Sequence, residues 1–156
     1  MTAETHREGI DLYLTRHYAA SPDKLWAAWT DPAILVKWFA PDPVQVPEAV
    51  IEARPGGIFR VKMVLPDGTE MSDPGCILEV EKNHKLVFTD ALDQGFRPLG
   101  AGFMTAIITF DPEDGGTRYR ARVLHKDAGD CDRHEQMGFH EGWSAVAEQL
   151  AHIVEG

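Results

Sequence analysis

The chain has 156 residues, 44% of them hydrophobic, enough for one globular domain with a real core and too few for a second. Lys and Arg number 15 against 25 Asp and Glu, a formal net charge of -10 that repels phosphate backbones and anionic membranes and argues against nucleic acid or a membrane as partner. Two cysteines, Cys76 and Cys131, are too few for a disulfide framework, and no apolar run near the start reads as a signal peptide or spanning helix, so a cytoplasmic protein with reduced thiols is expected.

Residues 1 to 9 read as a flexible tail and residues 10 to 156 as a single domain. From Ile10 to Tyr18 the apolar residues Ile10, Leu12 and Leu14 alternate, as in a half-buried first strand. Ser21 and Pro22 then have the chemistry of a helix cap and first helical position, with Leu25, Trp26 and Trp29 as the apolar stripe. That helix should stop near Asp31-Pro32, and a second short helix from Ala33 to Phe39 should end before Pro41, because a residue preceding proline avoids helical angles.

From Val44 the period changes to two, with turn signals at Pro55-Gly56-Gly57, Pro66-Asp67-Gly68, Lys82-Asn83-His84 and Glu113-Asp114-Gly115-Gly116. This predicts an antiparallel meander of six strands in one sheet. Phe59, Val61, Met63 and Leu65 share one face, as do Met104, Ala106, Ile108 and Phe110, and Tyr119, Ala121 and Val123. Arg60, Lys62, Arg118, Arg120 and Arg122 fall on the other face, so the sheet is expected to be covered on one side only. A long closing helix follows, with capping-box spacing at Asp132 and Glu135 and an apolar stripe through Phe139, Trp143, Val146, Ala147, Leu150 and Val154. Gly138 and Gly142 each cost such a helix about 1 kcal/mol relative to alanine, so they mark a bend or a close approach.

One strand, two short helices, a meander and a closing helix is the order of the helix-grip fold, an α+β class in which a curved antiparallel sheet wraps a long C-terminal helix. The stretches AASPDKLWAAWTDPAILVKWFAP, RPGGIFRVKMVLPDG, GGTRYRARV and GFHEGW make the resemblance more specific. Together they resemble the SRPBCC superfamily (START, birch-pollen-allergen-like), in the branch named after the activator of heat-shock protein 90 ATPase, from about residue 10 to the end. Fold alone does not choose a function among such proteins.

The segment HEQMGFHEGW, residues 134 to 143, has two His-Glu pairs but lacks zincin spacing. His134 and His140 lie six residues apart, about 120° around a helix, and cannot share one ion. His125, Cys131 and His134 are ligand types close in sequence, but in no recognised metal spacing. RPGG at 54 to 57 has no helix start after it and reads as a tight turn, and Ser21, Ser72 and Ser144 show no nucleophile-elbow pattern. No metal, no cofactor and no catalytic residue is therefore expected.

The resemblance, with the number of methionine and aromatic side chains, implies a cavity under the N-terminal half of the closing helix. Trp38, Phe39, Met63, Phe88, Met104, Met137 and Trp143 are its candidate lining, with His140 at the rim to orient a ligand. The implied function is a binding protein for an apolar or aromatic small molecule of the lipid or polyketide sort. A chaperone partner whose ATPase the domain stimulates is the first alternative, and a cyclase- or hydrolase-type enzyme using His140 and Glu141 the second. A homodimer is left open.

Overall fold

The computed structural model describes residues 2–156. The chain starts with a hairpin of β1 (Glu4–Glu8) and β2 (Asp11–Tyr18), paired antiparallel with Thr5 opposite Leu14 and Arg7 opposite Leu12. This corrects the expectation of a flexible tail over residues 1 to 9. The segment ETHRE has no apolar face, so hydrophobic periodicity could not reveal it; it is an edge strand, built on backbone pairing and on ion pairs made far along the chain.

Two helices follow, α1 (Pro22–Thr30) and α2 (Pro32–Leu35). Leu25, Trp26, Ala28 and Trp29 form the buried side of α1, and the Asp31 side chain caps α2 by accepting from the Ala33 amide at 3.0 Å. Helix α2 is a single turn and stops at Leu35, short of Phe39; the chain continues in turns to Ala40.

The remaining strands are β3 (Gln45–Ile51), β4 (Phe59–Val64), β5 (Glu70–Met71), β6 (Cys76–Glu81), β7 (Lys85–Thr89), β8 (Leu92–Asp93), β9 (Arg97–Pro98), β10 (Thr105–Glu113) and β11 (Gly116–Leu124). They do not form the single sheet expected. A six-stranded antiparallel sheet runs β1-β2-β11-β10-β7-β6, β3-β4-β5 form a second sheet, and β8-β9 a two-stranded ribbon. Strand β4 reaches β6 through one bridge, Ile58 to Cys76. The RPGG segment is a turn: a Cβ on Gly57 would lie 2.0 Å from the Glu52 carbonyl oxygen, which only glycine tolerates.

The alternation expected for the faces holds in the central strands. Ala106, Ile108 and Phe110 of β10 and Tyr119, Ala121 and Val123 of β11 are buried, whereas Arg118, Arg120 and Arg122 are exposed. Arg122 pairs with Asp11 at 3.0 Å and Arg120 lies over the Tyr13 ring. Arg60 departs from the outward expectation: it is half-buried and its Nε has no hydrogen-bond partner among the described residues.

The expected single closing helix is two, α3 (Ala128–Gln136) and α4 (Phe139–Val154). Gly138 separates them with φ +96°, a left-handed geometry that strains any residue with a Cβ. The cap of α3 is Asp127, whose carboxylate accepts from the Asp130 amide at 2.8 Å, not Asp132. Below the C-terminal half of α4 the core is filled: Leu150 is fully buried, Ala147, Ala151 and Val154 nearly so, and the Tyr18 hydroxyl donates to the Ala147 carbonyl at 2.9 Å. Arg16 of β2, almost wholly buried, meets Glu148 at 3.0 Å and Glu155 at 3.4 Å and so ties this end of the helix to the sheet.

Candidate ligand cavity beneath the last helix

Under the N-terminal half of α4 the packing opens into a cavity of about 330 Å³. Its roof is the stripe Phe139, Gly142, Trp143, Val146, Ala147 and Leu150, residues spaced three and one apart so that all fall on one side of the helix. Leu14 of β2, Met63 of β4, Phe88 of β7 and Tyr119 of β11 come up from the sheets, joined by Met104 from the loop just before β10. Trp29, Trp38, Phe39 and Pro41 close one end, and His134, Met137 and Gly138 at the α3–α4 junction form the other.

The closed end is a rigid aromatic wall. Trp29 and Trp38 meet edge to face with centroids 5.1 Å apart, Phe39 lies 5.9 Å from Trp29, and Phe59 stacks on Phe88 at 4.3 Å. Trp38 is fixed by a hydrogen bond from its Nε1–H to the Ala28 carbonyl at 3.1 Å. The junction end is loosely covered: Met137 is 68% exposed although its residue also lines the cavity. A flexible thioether at a mouth is a deformable stopper.

Of the eight residues picked from sequence, Trp38, Phe39, Met63, Phe88, Met104, Met137 and Trp143 come together on this wall. His140 does not. Its Nδ1 lies 2.8 Å from the Thr5 hydroxyl and its Nε2 2.7 Å from Glu135, whose other carboxylate oxygen meets Arg7 at 2.7 Å. Arg7 also reaches Asp132 at 2.6 Å, so β1, α3 and α4 are pinned together by one polar cluster beside the cavity. His140 and Arg7 both hold the Glu135 carboxyl below its ordinary pKa.

No charged side chain lines the cavity, yet three polar groups do: Trp29, Tyr119 and His134. Sequence patterning missed the first two because both sit at ordinary core positions, and His134 was weighed there only as a metal ligand. Among the described residues the Trp29 indole N–H is buried without a hydrogen-bond partner; it lies close enough to Tyr119 to work against the rise that burial imposes on the phenol, but short of hydrogen-bond geometry. His134 is 7% exposed and its pKa is pushed down to about 4, first by burial and then by His125, against an opposing pull from Asp90. It therefore stands in the wall as a neutral imidazole. Its Nδ1 lies 2.9 Å from Nε2 of His125, whose Nδ1 in turn lies 2.8 Å from the Ile10 carbonyl oxygen. Cys131, between these histidines in sequence, is buried, and burial pushes its thiol up, away from the thiolate a metal would need.

A second hollow of about 720 Å³ lies outside this wall, between residues 99 to 105 and Leu124, His125, Lys126 and Arg133. It is a solvent-facing groove, and its two cations both turn to Asp130. The enclosed apolar cavity is the better-built site for a small molecule. No helix among the described residues is long and apolar enough to cross a membrane.

A family model described as Activator of Hsp90 ATPase homolog 1-like protein matches residues 19–155. Among solved structures, a protein from Nitrosomonas europaea is 39% identical with a TM-score of 0.90, covering 93% of this chain and 94% of that one. A protein from Mycobacterium smegmatis is 26% identical with a TM-score of 0.83 over 99% and 97% of the two chains. The AHSA1 protein from Silicibacter pomeroyi is 26% identical with a TM-score of 0.69 over 91% and 95%. No curated protein matches the sequence.

Proposed function

We propose that this chain, which belongs to the Activator of Hsp90 ATPase homolog 1-like family, is a cytoplasmic binding protein that holds an apolar or aromatic small molecule in the cavity under α4. The observation that carries this reading is the wall itself: ten methionine and aromatic side chains around about 330 Å³ with no charged group among them. Removing ligand surface from water at roughly 25 cal/mol per Å² supplies the driving force, and the few polar groups set orientation. The mouth at Met137 gives a route in that needs side-chain motion alone.

The family description supports a second reading, a module that stimulates a chaperone ATPase through its surface. Denaturing extraction of the purified protein followed by mass spectrometry separates the two. A stoichiometric apolar small molecule supports the binding protein; an empty protein that binds no apolar probe and accelerates a chaperone ATPase supports the module.

A further inference from the structure

We propose that His125 and His134 act as a relay that fixes Nε2 of His134 as a hydrogen-bond acceptor on the cavity wall, so that the site selects an uncharged apolar molecule bearing a hydroxyl or N–H donor. This rests on the ligand-binding reading and names the chemistry of the ligand.

The proton positions follow from the partners. A carbonyl oxygen can only accept, so Nδ1 of His125, 2.8 Å from the Ile10 oxygen, carries a hydrogen. In a neutral imidazole the other nitrogen then has none, and Nε2 of His125 is an acceptor. The atom 2.9 Å from it, Nδ1 of His134, must be the donor. That leaves Nε2 of a neutral His134 bare, with a lone pair and no hydrogen-bond partner among the described residues. Because Nδ1 is spent on His125, Nε2 is the polar atom that His134 has left for the cavity it lines. The ring is held there by aromatic contacts with Phe103, Phe139 and Trp143 at centroid distances of 4.8, 5.1 and 6.3 Å.

A second observation points to a ligand as the missing partner. Trp29, 2% exposed and at the opposite end of the cavity lining, keeps an N–H with no acceptor in hydrogen-bond geometry among the described residues. Buried polar atoms left unpaired are rare because each costs stability, so the buried Trp29 N–H marks a lining whose bonding a bound molecule would complete, and the bare Nε2 of His134 is a further acceptor on that lining. A hydroxyl or N–H suits the His134 end, since it donates to the lone pair. A carboxylate does not: it offers nothing to a lone pair, and no cation lines the cavity to offset its desolvation.

The test titrates four matched probes into the protein by calorimetry: 2-naphthol, 2-methoxynaphthalene, naphthalene and 2-naphthoate. The proposal expects 2-naphthol to bind about tenfold more tightly than the ether, as one hydrogen bond allows, and 2-naphthoate to bind most weakly. In His134→Phe the ratio of naphthol to ether affinity should fall to near one while naphthalene still binds. Equal binding of naphthol and ether by the parent protein would overturn the relay and leave the apolar cavity standing; binding of none of the four would overturn both. A second measurement needs no variant. Nitrogen-15 NMR of the histidines near neutral pH should show the hydrogen on Nδ1 of both rings, and a hydrogen on Nε2 of His134 would sink the proposal.

Discussion

The two halves of α4 have the same helical backbone and the same apolar stripe, yet one half sits on a filled core and the other over a void. In the C-terminal half Ala151 and Val154 lie in the filled core, and Ala147 and Leu150, buried where the cavity lining ends, carry the helix down onto Tyr18 of β2. In the N-terminal half large rings at Phe139 and Trp143 flank a position with no side chain, Gly142, and the helix is lifted at its start by the left-handed turn at Gly138. A cavity in this fold is therefore made by uneven side-chain size along one stripe, not by a shortage of hydrophobic residues.

Truncation at matched positions should expose that difference most strongly. Leu150→Ala removes a fully buried side chain at the margin where the cavity lining runs into the filled core and should cost about 2–5 kcal/mol in urea unfolding. Trp143→Ala removes a far larger group, and a tryptophan in a packed core would cost about 3–5 kcal/mol. Because Trp143 is only partly buried and already borders empty space, its loss should fall below about 3 kcal/mol while probe binding drops sharply. A Trp143→Ala protein destabilised more than Leu150→Ala would show that the two halves are packed alike.

The same contrast explains what the sequence could and could not show. Period-two patterning placed Ile108, Phe110, Tyr119 and Ala121 on the buried face, because burial of one sheet face imposes that alternation residue by residue. Seven of the cavity-wall residues were legible for a related reason, since methionine and aromatic side chains at inward positions are the material of such a wall. The edge strand β1 was not legible, because its stability comes from backbone pairing and from Arg7 reaching Asp132 and Glu135 more than a hundred residues away. A bend at Gly138 was legible from the cost of glycine in a helical pattern, but only its φ shows that one helix ends there and another begins. His140 was misplaced because Thr5, its partner, lay in a segment with no hydrophobic signal. His125 and His134 were grouped by sequence, but as ligand types for a metal rather than as a hydrogen-bonded pair.

Acid should weaken the junction before it weakens the filled half. The folded protein holds the His134 pKa at about 4, below the ordinary 6.5, so the unfolded chain binds more protons between these values. Stability from this group is then complete above about pH 6.5 and is lost as pH falls toward 4. The groups that set this are His125, which lowers it further, and Asp90, which opposes. Urea unfolding between pH 7 and pH 5 covers this window, in which Glu135 and Asp130 stay ionised, and comparison with His134→Phe separates His134 from the other histidines. Stability should fall over this interval in the parent protein, and its slope should flatten in His134→Phe. An unchanged slope would mean that His134 is not the group responding.

The smallest expected effect is also the sharpest test of why the void exists. A Cβ placed on Gly142 would meet no atom within 4 Å, and the residue lies inside α4 at a wall position. Gly142→Ala should therefore raise stability, by up to about 1 kcal/mol, since alanine removes the backbone-entropy penalty of glycine in a helix without a clash. If that position were part of a packed core, the added methyl would instead be neutral or destabilising. Gly142→Leu carries the argument further by projecting a branched side chain into the space between Phe139 and Val146. It should keep the fold and weaken probe binding at least tenfold, because ligand and side chain compete for the same volume. A gain in stability with a loss of binding from one added side chain would show that glycine at 142 is there to keep room for a guest, at a measurable cost to the helix.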